Sequence, residues 1–192
     1  MTTVRQMERF WGAKEYGRML SECLRTRSEA PILRLGDLSG APAAAAMGII
    51  RLDELSQPQS PLYRRLVHAV LASQQADGGW GDVMVTALCL RALLCGGGDG
   101  IAIQRGLAYL VALQQLEGTW PRVPLRRFPA DPAVSAYVVS QLADQPLAIE
   151  SLRLADTMRW LEEHQADLSP ETQRLWRSTS TRFGRSLMAG SN

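Results

Sequence analysis

The chain has 192 residues, 21 Lys or Arg against 19 Asp or Glu, and a formal net charge of +2. So small an excess of charge excludes the electrostatic footprint of a nucleic-acid binder. The length suits a single domain, 1–192, able to bury roughly 70% of its unfolded surface. Cys23, Cys89 and Cys95 are too few and too scattered for a disulfide framework, which points to a reducing, cytoplasmic setting. Arg5, Glu8, Arg9, Lys14 and Glu15 interrupt any secretory pattern at the start, and the apolar run 41–50 is too short to span a bilayer. Lys14 is the only lysine, so the cations are nearly all arginine, a bacterial-like composition that reads as GC-rich coding.

Apolar spacing predicts about eight helices and no strand. Val4, Met7, Trp11, Leu20 and Leu24 stripe a first helix over 3–27, and 30–40 reads as a connector. A second helix covers 43–55 and stops at the Gln57-Pro58 and Ser60-Pro61 steps. The third, 62–75, ends in the Asp77-Gly78-Gly79 turn. Asp82 caps the fourth, which runs to the Gly96-Gly97-Gly98 run. The fifth covers 101–115. Asp131 and Pro132 open the sixth. A seventh, 147–165, carries Leu147, Leu154, Met158 and Leu161, and Ser169-Pro170 opens the eighth. That last segment, 166–192, is a basic helix and tail whose Arg174, Arg177, Arg182 and Arg185 suit a solvated face. The fourth and sixth helices are apolar on nearly every side and should be buried, whereas the third and fifth keep polar faces.

Two stretches echo each other forty residues apart. Residues 65–80 read RLVHAVLASQQADGGW and 105–120 read RGLAYLVALQQLEGTW. Arg65 matches Arg105, Gln74-Gln75 matches Gln114-Gln115, Gly78 matches Gly118 and Trp80 matches Trp120. Past the tryptophan, 81–94 aligns with 130–143 at a spacing of forty-nine, so the second copy carries nine extra residues within 121–130, PRVPLRRFPA. A degraded third copy sets Trp160 in the place of Tyr109. Periodicity of this length implies stacked supersecondary units.

The elements Arg105-Gly106, Tyr109-Leu110, Gln114 and Gly118-Thr119-Trp120, with a weaker copy from Arg65 to Trp80, resemble the QW repeat of squalene and oxidosqualene cyclases, to which protein prenyltransferase β subunits are related. The resemblance covers 60–165. It implies an (α/α) toroid-like array of antiparallel helix pairs, reduced in size, in which the Gln and Trp are structural. Four pairs instead of about six would make an open arc, a smaller ring, or a half that needs a partner.

The chemistry of that family is harder to find. Its acidic Asp-x-Asp-Asp-Thr-Ala motif, a cluster suited to protonating an alkene, aligns with Asp82-Val83-Met84-Val85-Thr86-Ala87 and with Asp131-Pro132-Ala133-Val134-Ser135-Ala136. Met84 and Val85 stand where the central acids would be. The zinc positions of the prenyltransferases fall on Met84 and Val134, and methionine is a poor zinc ligand. Neither a metal nor a cofactor is expected. Asp82 and Asp131 are the remaining catalytic candidates, with N-capping as the simpler account. Arg122, Arg126 and Arg127, in the proline-stiffened insertion, are candidate ligands for a diphosphate or carboxylate, beside Met84, Thr86 and Ser135; for Thr86 and Ser135 a core hydroxyl bonding backbone is the simpler account. A solvated basic loop, or a Pro121-x-x-Pro124 recognition motif, would also explain the insertion.

These features favour a non-catalytic toroid module that binds a hydrophobic, isoprenoid-like ligand along Val83, Leu90, Val138 and Leu142, or a protein partner. A second copy or another subunit is among the possible partners, and neither nucleic acid nor a membrane is expected. The alternative is a small terpenoid cyclase or prenyl-transfer enzyme using a non-standard acid, with the arginine loop anchoring substrate.

Overall fold

The computed structural model describes residues 42–56 and 60–189. Among them the chain is all-helical, with eight α-helices, one short 3-10 turn and no strand. The expected first helix (3–27), the connector 30–40 and the Gln57-Pro58 step lie outside the described residues. The chain divides into two compact units, Met1–Ser73 and Gln74–Asn192.

In the first unit, α1 (Pro42–Glu54) packs against α2 (Pro61–Ala72). Ala45, Ala46, Ile49 and Ile50 form the buried stripe of α1, opposite Tyr63, Leu66, Ala69 and Val70 of α2. Gly48 makes the close approach possible: a Cβ there would sit 2.8 Å from Leu66 Cδ1. Ser60 starts α2, its Oγ accepting the Tyr63 N–H at 3.1 Å with Pro61 in the first turn.

The second unit holds α3 (Val83–Cys95), α4 (Gly100–Leu113), α5 (Pro132–Leu142), α6 (Pro146–Ser151), α7 (Leu154–Glu163), the 3-10 turn Gln165–Asp167, and α8 (Pro170–Ala189). α5 is its centre and packs against α3, α7 and α8, while α3 also packs against α4. The two helices that read as apolar all round are buried accordingly: α3 from Thr86 to Leu93, and α5 from Val134 to Leu142. Leu88, Leu90, Leu93, Leu110, Trp120, Tyr137 and Leu142 fill the core between them. Outward-facing Ile101, Gln104, Arg105 and Val111 give α4 its exposed side. Arg91 of α3 donates to the Gln141 carbonyl at 3.0 Å and pairs with Asp144 at 3.3 Å, just past α5. The C-terminal ends of α3 and α5 therefore lie together, and the two helices run parallel.

One expectation fails. The spacing predicts a single helix over 147–165, but the chain breaks into α6 and α7 at Leu152 and Arg153. Leu152 is extended (φ −112°, ψ 145°), and the Leu154 N–H folds back on the Leu152 carbonyl at 2.8 Å. The break frees the Arg153 N–H from the helix ladder, and it donates instead to Gln114 Oε1 at 3.3 Å.

Candidate functional site

Each echo in the sequence builds the same turn. The Gln75 N–H donates to the Gly79 carbonyl and the Gly78 N–H to the Gln75 carbonyl. In the second copy, Gln115 pairs with Thr119 and Gly118 with Gln115 in the same way. Gln74 Nε2 donates to the Gly78 carbonyl at 2.9 Å, as Gln114 Nε2 does to that of Gly118. The Trp80 N–H donates to Thr86 Oγ1 at 3.0 Å, and the Trp120 N–H to Ser135 Oγ at 2.9 Å. The indole N–H of Trp120 donates to the Leu110 carbonyl at 2.9 Å, which satisfies a polar group on a fully buried side chain.

Both glycines are required by the backbone. Gly78 and Gly118 have φ of +92° and +83°. A Cβ on Gly78 would sit 2.5 Å from the Arg105 carbonyl oxygen; one on Gly118 would sit 2.9 Å from the Thr157 nitrogen.

An arginine from the following helix pair closes each turn. Arg105 donates to the carbonyls of Gln75 and Ala76 at 2.8 and 3.2 Å. Arg153 donates to those of Gln115 and Leu116. These carbonyls lie just beyond the last turn of a helix, where a cation is also favoured by the helix dipole. Arg153 thus occupies the place of Arg105, so the third copy is registered on this arginine and not on Trp160. Thr157, not Trp160, then stands where Tyr109 does, buried and donating to the Gly118 carbonyl at 2.7 Å.

The predicted site residues fall at the end where α3 and α5 begin. Asp82 caps α3, accepting the Val85 N–H at 2.8 Å, and is exposed. Asp131 caps α5: Oδ1 accepts the N–H groups of Ala133 and Val134, and Oδ2 holds Arg122 at 2.9 Å. Thr86 and Ser135 are fully buried, their hydroxyls accepting the tryptophan N–H groups. Met84 is half-buried in the first turn of α3. The structure joins Arg122 to Asp131. Among the described residues, no hydrogen bond or ion pair joins the Arg126 or Arg127 side chains to any other of these residues.

The insertion is held at several points. Pro121 and Ala130 form an isolated antiparallel bridge, and the Asp131 N–H donates to the Trp120 carbonyl at 2.9 Å. Gln115 Nε2 donates to the carbonyls of Arg126 and Phe128. The Phe128 N–H donates to the Leu125 carbonyl at 2.9 Å, a turn that sets Arg126 and Arg127 at its tip. Leu125 and Phe128 flank that tip, 45% and 39% exposed, and Val123 is exposed as well.

A groove that sequence reasoning missed opens next to the second turn. Its volume is about 370 Å³, and it is lined by Leu116 and Glu117 from the second turn and by Asp156, Arg159, Trp160 and Glu163 of α7. Those four α7 residues recur at helical spacing and share one face. Trp160 stacks on His164 with ring centroids 4.2 Å apart. The only available signal was negative: a tryptophan on a helix whose buried stripe is already supplied by Leu154, Thr157 and Leu161.

Two buried groups complete the picture. The Cys89 thiol is pushed up by burial and, secondarily, by Asp82, which keeps it protonated and unreactive. Tyr109 packs its ring on Gly79 and has a buried hydroxyl without a hydrogen-bond partner. Burial first, then Asp77 and Asp82, push its pKa up to about 12. Among the described residues no group of three His, Cys, Asp or Glu side chains is placed to hold a metal ion. No known protein family, curated protein or solved structure matches this chain.

Proposed function

We propose that this chain is a non-catalytic interaction module, built on a reduced version of the (α/α) toroid scaffold of terpenoid cyclases and prenyltransferase β subunits. The observation that carries this reading is the use of both candidate acids as helix caps, with Asp131 further occupied by Arg122. An acid that protonates an alkene must be desolvated, and Asp82 is exposed. Met84, Val85 and Val134 stand where the resemblance would put acids and zinc ligands. Val83, Leu90, Val138 and Leu142, the wall suited to an isoprenoid ligand, are buried and covered. The exposed apolar and cationic groups of 121–130 favour a protein partner over a lipid-like ligand. We take the module to be cytoplasmic; three scattered cysteines, too few for a disulfide framework, support that setting.

The test is turnover of squalene-type alkenes and isoprenoid diphosphates by the wild type and by the Asp82→Asn/Asp131→Asn pair. Asparagine caps helices as well as aspartate does, so the pair should fold. The module reading predicts no product from either protein. Product formed by the wild type and lost in the pair would sink it.

A further inference from the structure

The 121–130 loop and the α7 groove are complementary in both charge and polarity. At the loop tip, the guanidinium groups of Arg126 and Arg127 have no hydrogen-bond or ion-pair partner among the described residues. In the groove, Asp156 is already paired with Arg159 at 3.1 Å, but neither Glu117 nor Glu163 has an ion-pair partner among the described residues. Two unspent cations therefore face a requirement for two unspent anions. The apolar groups match too: Leu125 and Phe128 flank the cations, and Leu116, 78% exposed, lines the groove with half-buried Trp160 and the acids. Tryptophan and arginine are the side chains that most often dominate interface energetics.

Gln115 links the two patches. Its side chain holds the loop carbonyls of Arg126 and Phe128, its own carbonyl is held by Arg153, and the next two residues are Leu116 and Glu117. A two-fold interface uses the same surface twice. With loop and groove both tied to Gln115, a two-fold axis between them would set each loop over the other copy's groove.

We propose that this face is a docking surface for a second copy of the same chain, with the Leu125–Phe128 turn of each copy seated in the Leu116/Trp160 groove of the other. The inference rests on the interaction-module reading and names its partner. It separates from that reading because a monomer would overturn the dimer alone, whereas acid-dependent turnover would overturn the module alone.

Charge reversal tests it by sedimentation equilibrium. The wild type should sediment at twice 21.1 kDa. Raising salt to about 1 M, where the screening length falls to about 3 Å, should weaken the dimer. Arg126→Glu/Arg127→Glu opposes acid to acid at both contacts, and Glu117→Arg/Glu163→Arg opposes base to base. Each variant alone should raise the dimer dissociation constant about 100-fold or more. Mixed together, they should form a heterodimer, because both contacts are again complementary. All four substitutions in one chain should restore the homodimer. A monomeric wild type would overturn the proposal, as would a dimer that neither variant weakens, or two weakened variants that fail to rescue each other. Binding of a monomeric wild type to anionic phospholipid vesicles, lost with Arg126→Glu/Arg127→Glu, would assign the loop to a membrane and also overturn it.

Discussion

The two copies of the turn differ most in what separates the tryptophan from the capping aspartate. In the first, a single glycine, Gly81, separates Trp80 from the cap Asp82. In the second, residues 121–130 stand between Trp120 and Asp131. Everything on either side of that difference is kept: the glutamine bond to the glycine carbonyl, the left-handed glycine, the tryptophan N–H on a buried hydroxyl, the capping aspartate and the arginine that closes the turn. The insertion is accommodated because its own ends bridge at Pro121 and Ala130, next to the frame residues whose counterparts Trp80 and Asp82 bridge in the first copy. The shared frame and the inserted loop are thus separable within one repeat.

The largest expected effects test whether the two frames are equivalent. Gly78→Ala and Gly118→Ala should each cost roughly 3 kcal/mol or more, because both strain a left-handed backbone and press a methyl onto backbone atoms. Gly81→Ala is the control. Its φ is +103°, but nothing lies within 4 Å of a Cβ, so only strain of about 1–2 kcal/mol is expected. Urea unfolding measures all three, and a Gly81→Ala as costly as Gly118→Ala would break the comparison. Next come Thr86→Val and Ser135→Ala, each removing a buried hydroxyl acceptor from a tryptophan N–H at a cost of about 1–3 kcal/mol. Unequal losses would show that the hydroxyls are not interchangeable parts.

Gln115→Ala sharpens the comparison from the side of the loop. It should change stability by about 1 kcal/mol or less and speed proteolytic cleavage within 121–130, since two loop carbonyls lose their donor. Smallest at neutral pH is Tyr109→Phe, which removes an unpartnered buried hydroxyl and should be near neutral or slightly stabilising. Its signature lies in alkali. The folded pKa of Tyr109, about 12, is above the ordinary value of 10.0, so the folded state holds its proton longer than the unfolded chain does. That stabilisation is complete below pH 10 and is lost as pH rises towards 12. Unfolding midpoints measured across that window should fall less steeply for Tyr109→Phe.

The starts of α3, α5 and α8 were legible in the sequence because each is written in local chemistry, Asp82, Asp131-Pro132 and Ser169-Pro170, whereas Ser60-Pro61, read as the stop of the preceding helix, also caps the start of α2. The burial of α3 and α5 was equally legible from their apolar residues. The break at Leu152 and Arg153 was not, because no Gly or Pro marks it and Leu147, Leu154, Met158 and Leu161 keep an uninterrupted apolar spacing. What breaks the helix is tertiary: the Gln114 side chain and the second turn's carbonyls claim Arg153. For the same reason Trp160 was mistaken for the counterpart of Tyr109. The buried, backbone-bonding role of Thr86 and Ser135 was legible from their place one turn into apolar helices; that their partners are the tryptophan N–H groups was not. The groove joins a turn to a helix more than thirty residues away, beyond the reach of any local pattern.

Replacing 121–130 by the single glycine of the first copy, so that Trp120 is followed by Gly and Asp131, tests the separation of scaffold from surface most directly. The account predicts an unfolding midpoint close to that of the wild type together with loss of self-association in sedimentation equilibrium. A shortened chain that unfolds, or one that still dimerises as the wild type does, would contradict it.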